Sequence, residues 1–309
     1  MTSEIFIPVA PLQTAVLFLV FNRPDTTKQV FKAIRQAKPP RLYVAADGPR
    51  ANREGEAERV TQVREIATAV DWPCEVKTLF RDENLGCKKS VSSGINWFFE
   101  NENQGIILED DCLPVQSFFW FCEKILNKYA NDTRIMMATG TNYLLDIQKQ
   151  TGAEFIFSRH YSIWGWATWK RAWESYEVDI LDYESDDHKY ISLNKHDEKF
   201  HQNLIKASKS KNIDTWDYQW SLNCCFNYGL CATPTVNLVS NIGTIGAHAD
   251  GATENNFMPT KEIDLIRIDF PKRIMPNMYH DAEVGKRNRA RPLILSRLIK
   301  RIIKWLKPY

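Results

Sequence analysis

The sequence has no apolar run long enough to cross a membrane. Its N-terminal apolar run, Ala15 to Phe21, ends at Asn22, Arg23 and Pro24, which suits a buried strand better than the core of a signal peptide. Paired cysteine spacings are missing too. Of seven cysteines, Cys224 and Cys225 are adjacent and the rest are scattered, which excludes a zinc-finger pattern and suits a reducing compartment. No glycine follows the first apolar run: Phe21-Asn22-Arg23-Pro24-Asp25-Thr26-Thr27 cannot form the Gly-x-Gly-x-x-Gly turn of a dinucleotide-binding oxidoreductase. The chain shows no internal repeat and no low-complexity linker.

Acidic residues are also missing after Glu283, where nine basic residues follow: Lys286, Arg287, Arg289, Arg291, Arg297, Lys300, Arg301, Lys304 and Lys307. Without those nine, 31 basic residues stand against 38 acidic ones, so a slightly acidic body carries a basic tail. The overall charge of +2 gives no reason to expect a nucleic-acid partner.

With 44% hydrophobic and 25% charged residues in a 309-residue chain, the composition is that of a globular protein with a large core. In the first half, short apolar runs alternate with helical patterns, which predicts an α/β fold whose central, mostly parallel sheet is flanked by helices. Strands are expected at Val16 to Phe21, Leu42 to Ala46, Val76 to Phe80 and Ile106 to Leu108. Val30, Phe31, Ile34 and Ala37 share one helical face, as do Val91, Gly94, Ile95 and Phe98. In the second half, strands are expected at Ile135 to Ala138, Phe155 to Phe157 and Val236 to Ser240, and helices at Ala167 to Tyr176, Glu198 to Ser208 and Asp217 to Phe226. Three of the first four strands end in polar residues: Asn22 and Arg23, Asp47 and Gly48, then Glu109, Asp110 and Asp111. Ligands of open α/β sheets gather outside such carboxyl ends, so one shared site is expected there.

The sharpest feature is Leu108-Glu109-Asp110-Asp111-Cys112-Leu113-Pro114. Three adjacent carboxylates repel one another, and in a cleft they call for a cation; oxygen donors favour Mg²⁺ or Mn²⁺, whose shells are completed by phosphate oxygens. A solvated acidic turn is the plainer alternative.

Phe21-Asn22-Arg23-Pro24, Asp47-Gly48, Arg81 with Asn84-Leu85-Gly86, and Glu109-Asp110-Asp111 together resemble the nucleotide-binding half of GT-A glycosyltransferases. The wording is closest to bacterial family 2-like enzymes and to the N-acetylglucosaminyltransferase I type. The resemblance covers roughly residues 14 to 250. It implies a GT-A domain over residues 1–283, with a nucleotide-binding half near 14–113 and an acceptor half near 114–283, followed by a tail over 284–309. It further implies that Asp111 holds the metal while Asp110 meets the ribose or a metal-bound water. Asn22, Arg23 and Arg81 would lie near the base or phosphates; for the two arginines surface solvation is the alternative. Asp47 would accept the N3 hydrogen of a uracil or thymine base, or else simply form an Asp-Gly turn.

In the second half, the resemblance makes His248, in Gly243-Thr244-Ile245-Gly246-Ala247-His248, a further metal or phosphate contact; a structural histidine is the alternative. Asp217 matches the general base at a helix start, with Trp-Asp in place of the usual Glu-Asp pair. That departure leaves Asp214 as a rival, and an ordinary helix cap as the other reading of Asp217. Gly165 would let the backbone approach the donor sugar, and Trp164 and Trp166 would stack on sugar faces or else pack in the core.

The function implied is metal-dependent, inverting transfer from a nucleoside-diphosphate sugar, UDP-linked by preference, to a hydroxyl of a glycan or glycolipid. The alternatives are a sugar-phosphate nucleotidyltransferase, although the glycine-rich basic loop expected near its N-terminus is absent, and a non-catalytic glycan-binding protein on a transferase fold. On an ideal helix with about 100° per residue, Leu295, Leu298, Ile299, Ile302, Ile303, Trp305 and Leu306 face one way, and Arg297, Lys300, Arg301, Lys304 and Lys307 the other. The segment 286–309, a basic approach stretch followed by this amphipathic helix between Pro292 and Pro308, is therefore expected to lie on an anionic membrane surface, placing the protein in the cytoplasm and peripherally on the inner leaflet; docking on the acidic body is the alternative.

Overall fold

The computed structural model describes residues 6–145, 147, 151–180, 183–184, 186–192, 195–210, 213–243, 258–266 and 268–290. His248 and residues 291–309 of the basic tail lie outside them.

Parallel strands β1 (Val16–Val20), β2 (Arg41–Ala46), β3 (Glu75–Phe80) and β4 (Gln104–Glu109) form one half of an eight-stranded sheet. The other half holds β6 (Ile135–Thr139), β7 (Phe155–Ser158), β8 (Trp166–Trp169) and β9 (Leu230–Pro234), and the strand order is β3-β2-β1-β4-β8-β6-β9-β7. A separate antiparallel pair joins β5 (Cys112–Pro114) to β10 (Val239–Asn241), with Asn241 opposite Cys112. The α/β class with a central sheet flanked by helices agrees with the sequence pattern. The stretch predicted as a helix from Ala167 does not: Trp166–Trp169 is a strand, antiparallel to both β4 and β6, and only a short α5 (Lys170–Trp173) follows.

Alternation along the strands divides the core in two. Val16, Phe18, Leu42, Val44, Ile106 and Leu108 face one layer, with α1 (Pro24–Ala37), α2 (Glu56–Thr68) and α4 (Ser117–Lys128). Leu17, Leu19, Tyr43, Ala45 and Ile107 face the other, with α3 (Cys87–Asn101) and α8 (Asp217–Phe226). Because both faces are covered, these strands read as continuous apolar runs, not as alternating ones. Helix α1 starts with Pro24, which needs no backbone donor in the first turn, and ends at Lys38 in the left-handed conformation.

A smaller apolar cluster, including Ile180, Ile191, Leu204, Ile205 and Leu222, joins α6 (His188–Ile191) and α7 (Lys195–Ser208) to α8. Helix α9 (Met278–Ala290) runs through the 283/284 junction of the expected body and tail. It is tied to the body by Asp281, which accepts from Ser158 Oγ at 2.7 Å and from the Arg159 N–H at 3.1 Å, and by buried Val284.

Candidate functional site

From β1 the chain moves outward to β2 and β3, then returns to β4 on the opposite side of β1. The crevice between the carboxyl ends of β1 and β4 is therefore the switch point of the sheet, the usual ligand position in open α/β folds. Asn22 and Arg23 leave one of these strand ends and Glu109, Asp110 and Asp111 leave the other.

Arg23 bridges two of the acids. Its Nη1 donates to Asp111 Oδ2 at 2.7 Å, and its Nη2 pairs with Asp110 Oδ1. Burial opposes the arginine's charge, yet Asp110 and Asp111 hold its pKa above the ordinary value. Asp110 is buried and also accepts the Phe21 N–H at 3.3 Å; burial pushes its pKa up, and Arg23 pulls against that.

Glu109 faces the other way, as alternation requires. It continues the parity of Ile107 towards the α3 and α8 layer. Its Oε1 is sealed from solvent without a hydrogen-bond partner, and its pKa is raised by burial first and then by Asp111. The first turns of α3 and α8 meet it there. The Cys87 thiol, lifted well above its ordinary pKa by burial, also feels the charges of Glu109, Asp214 and Asp217. The structure thus brings the two candidate bases and Glu109 around one thiol that the sequence did not single out.

The candidate bases differ in their surroundings. Asp214 accepts the backbone N–H groups of Cys87 at 2.7 Å and Lys88 at 2.9 Å, capping α3 from far along the chain. Asp217 is the first residue of α8 and accepts from the Thr215 hydroxyl.

Asp47 is buried at the end of β2. Its Oδ1 accepts the N–H groups of Gly48 at 3.0 Å and Leu85 at 2.9 Å, and its Oδ2 accepts Asn84 Nδ2 at 2.9 Å. Burial raises its pKa against those bonds. The carboxylate thus ties the end of β2 to the turn before α3. Arg81 lies beside it, donating its backbone N–H to the Ala46 carbonyl at 3.1 Å and its Nη2 to Ser93 Oγ at 2.8 Å. Asn22 Nδ2 donates to Glu56 Oε1 at 2.8 Å, and the same carboxylate accepts the Arg50 N–H at 2.8 Å and pairs with the Arg50 guanidinium. Glu56 is 1% exposed, and nothing in its sequence surroundings marks it as buried.

One expectation in the aromatic stretch needs correction. Trp166 is fully buried, with its ring 5.6 Å from that of Trp216 at 23° and close to Trp173 and Trp220, so it has no face to offer a sugar. Gly165 has a φ of +63°, and a Cβ there would lie 2.7 Å from Val239 Cγ2. Left-handed backbone and the closeness of Val239 both call for glycine here. Half-buried Trp164 packs edge-on to Tyr143 at 5.9 Å.

The β5 and β10 pair delivers a loop onto the acids: Ile242 donates to the Asp111 carbonyl at 2.8 Å, and a Cβ on Gly243 would meet Asp111 Oδ2 at 2.5 Å. The chain enters the region containing His248 from this point. Among the described residues no group of three or more His, Cys, Asp or Glu side chains is arranged to hold a metal. Asp110 and Asp111 do offer hard oxygen donors, and Glu109 an unpartnered one, which fits an ion that takes one or two carboxylates and completes its shell with phosphate oxygens.

No family model and no curated protein matches the chain. Among solved structures, HddC from Yersinia pseudotuberculosis matches at 10% identity and a TM-score of 0.32, covering 56% of this chain and 87% of that one. The 4-diphosphocytidyl-2C-methyl-D-erythritol synthase from Anaerococcus prevotii matches at 8% identity and a TM-score of 0.33, covering 63% of this chain and 99% of that one. Likenesses this distant carry no argument about the chemistry.

Proposed function

We propose that this chain transfers a glycosyl group from a nucleoside-diphosphate sugar to an acceptor hydroxyl, with Mn²⁺ or Mg²⁺ at the acids that follow β4. The observation that carries the reading is the meeting, at the β1/β4 switch point, of Arg23, Asp110 and Asp111 on one side with Glu109 and Asp217 on the other. Phosphates need cations and hard-metal ligands, and an acceptor hydroxyl needs a base; this crevice supplies both kinds of group.

Asp111 would hold the ion, His248 would add a further metal or phosphate contact, and Asp110 would meet the ribose or a metal-bound water. The ion, when bound, neutralises charge developing on the departing diphosphate. Arg23 and Arg81 supply positive charge towards the phosphates, and Asp47 holds the turn that shapes the base pocket. Asp217 takes the acceptor proton, and a single displacement inverts the anomeric centre. Anchoring of the tail on an anionic membrane surface belongs to the same reading and would bring a glycolipid acceptor close.

The runner-up is a sugar-phosphate nucleotidyltransferase. It is favoured by the Thr215 hydroxyl on Asp217, since a sugar phosphate is already anionic and needs no base to activate it. One panel separates the two: nucleoside-diphosphate release from nucleotide sugars, and pyrophosphate release from nucleoside triphosphates plus sugar phosphates, each with and without Mn²⁺. Diphosphate release that needs the metal and vanishes in Asp111→Ala supports transfer. Pyrophosphate release alone supports the runner-up. UDP should also raise the melting temperature only when Mn²⁺ or Mg²⁺ is present.

A further inference from the structure

Arg23 stands where a cation for Asp111 would stand. Its guanidinium spans two carboxylates, Nη1 on Asp111 Oδ2 at 2.7 Å and Nη2 on Asp110 Oδ1, and so supplies the positive charge that neighbouring acids require. The contact lies directly under the Gly243 backbone, where an added Cβ would meet Asp111 Oδ2 at 2.5 Å and Arg23 Nη1 at 3.1 Å. A guanidinium and a hydrated divalent ion cannot both occupy that oxygen beneath the loop.

We infer that Arg23 is an exchangeable counter-cation: it neutralises Asp111 until a divalent ion displaces it, and the freed guanidinium then pairs with the diphosphate of the nucleotide. This rests on the glycosyl-transfer reading above and deepens it. The backbone of Arg23 is fixed, because its carbonyl accepts the Thr27 N–H at 3.0 Å and Thr27 Oγ1 at 2.7 Å at the start of α1. Motion is therefore left to the side chain, which is 26% exposed and has a way out. Asp111, at 13% exposed, is open to exchange, whereas Asp110, at 3%, is not. Two carboxylates share one guanidinium, so the pair keeps excess negative charge for a divalent ion. A bound ion removes the reason for Arg23 to stay, and two phosphates give it somewhere to go.

Two consequences follow from the competition. Metal alone binds weakly because it must displace Arg23, and metal and nucleotide diphosphate tighten each other's binding, since each favours the displaced arginine. Removal of the guanidinium should therefore strengthen one affinity and weaken the other, an outcome that a purely structural arginine would not give.

The test is Mn²⁺ binding to the full chain, followed by electron paramagnetic resonance of the free ion, with and without UDP, in wild type, Arg23→Gln, Arg23→Lys and Asp111→Asn. Arg23→Gln should bind Mn²⁺ alone about tenfold tighter than wild type. UDP should tighten Mn²⁺ binding in wild type by a similar factor and change it little in Arg23→Gln. Lysine cannot bridge two carboxylates as a guanidinium does, so Arg23→Lys should fall between them; if the glutamine variant does not fold, this comparison decides. Asp111→Asn should lose Mn²⁺ binding. Equal or weaker Mn²⁺ binding by the folded Arg23 variants overturns the exchange while leaving the metal reading intact. Absence of Mn²⁺ binding in every form, with or without UDP, overturns both.

Discussion

Asp214 caps a helix that begins 127 residues before it, by accepting the Cys87 N–H at 2.7 Å. The residue at the N-cap position itself, Gly86, has no side chain to do so, and the first turn of α3 contains no acid of its own. Helix α4 is built in the same way: Glu262 accepts the N–H groups of Gln116 at 3.1 Å and Ser117 at 2.8 Å. In both helices a distant carboxylate satisfies donors that a local Ser, Thr or Asp satisfies elsewhere.

Replacing Asp214 should therefore cost stability more than chemistry. Asp214→Asn loses the charge facing the helix dipole and one of its two acceptor oxygens, a loss of about 1–2 kcal/mol. Urea unfolding should show it, and the turnover of the folded fraction should stay near wild type.

Much of the N-terminal half was legible in the sequence, because strands buried on both faces produce apolar runs such as Val16 to Val20 and polar residues mark where those runs end. What was illegible depends on partners far along the chain. Trp166 to Trp169 reads as helix or strand with equal ease, and only pairing with β4 and β6 decides. Asp214 looks like a free carboxylate until Cys87 is seen beside it. The acidic triplet reads as one cluster, yet strand alternation sends Glu109 to the layer opposite Asp110. Glu56 carries no signal at all, since a glutamate in a first helical turn is ordinarily solvated.

Glu56 should give wild-type stability an acid-dependent component. Arg50 holds its pKa down, with help from the Arg50 N–H and Asn22, to about 2 from an ordinary 4.5, although burial opposes the shift. A carboxyl with a depressed folded-state pKa contributes stability above its unfolded value and loses it as pH falls towards the folded one. The stability gap between wild type and Glu56→Gln should be widest at neutral pH and close as pH drops from about 4.5 to about 2. Unfolding titrations across that window measure it, and a gap constant with pH would contradict the ion pair.

Gly165→Ala should destabilise the protein through two separable causes. A left-handed backbone costs an L-residue about 1–2 kcal/mol, and the new methyl group meets Val239. Val239→Ala makes room for the methyl but leaves the backbone cost in place. The double variant should accordingly lose less stability than the two single variants summed, while remaining less stable than Val239→Ala alone. Full additivity in denaturant unfolding would show that the contact with Val239 does not explain the glycine.

The choice of base rests on a comparison between two aspartates near one thiol. Asp214 has both oxygens committed to α3 backbone donors, so taking a proton there would release the helix cap. Asp217 heads α8 and accepts from Thr215, and its charge reaches Glu109, Cys87, Tyr176 and Tyr218, which places it against the crevice. Asparagine at 217 keeps the size and an acceptor oxygen for the Thr215 hydroxyl and cannot accept a proton. Asp217→Asn should therefore lower glycosyl transfer by roughly 10² or more and leave the affinity for the nucleotide sugar nearly unchanged, so that kcat falls and KM does not. Steady-state rates and donor titration of Asp217→Asn and Asp214→Asn, run side by side, measure the difference. If the loss of kcat appears in Asp214→Asn instead, the cap is the base and the assignment is reversed. Should both variants transfer at the wild-type rate, neither aspartate activates the acceptor, and the base is another group of the crevice.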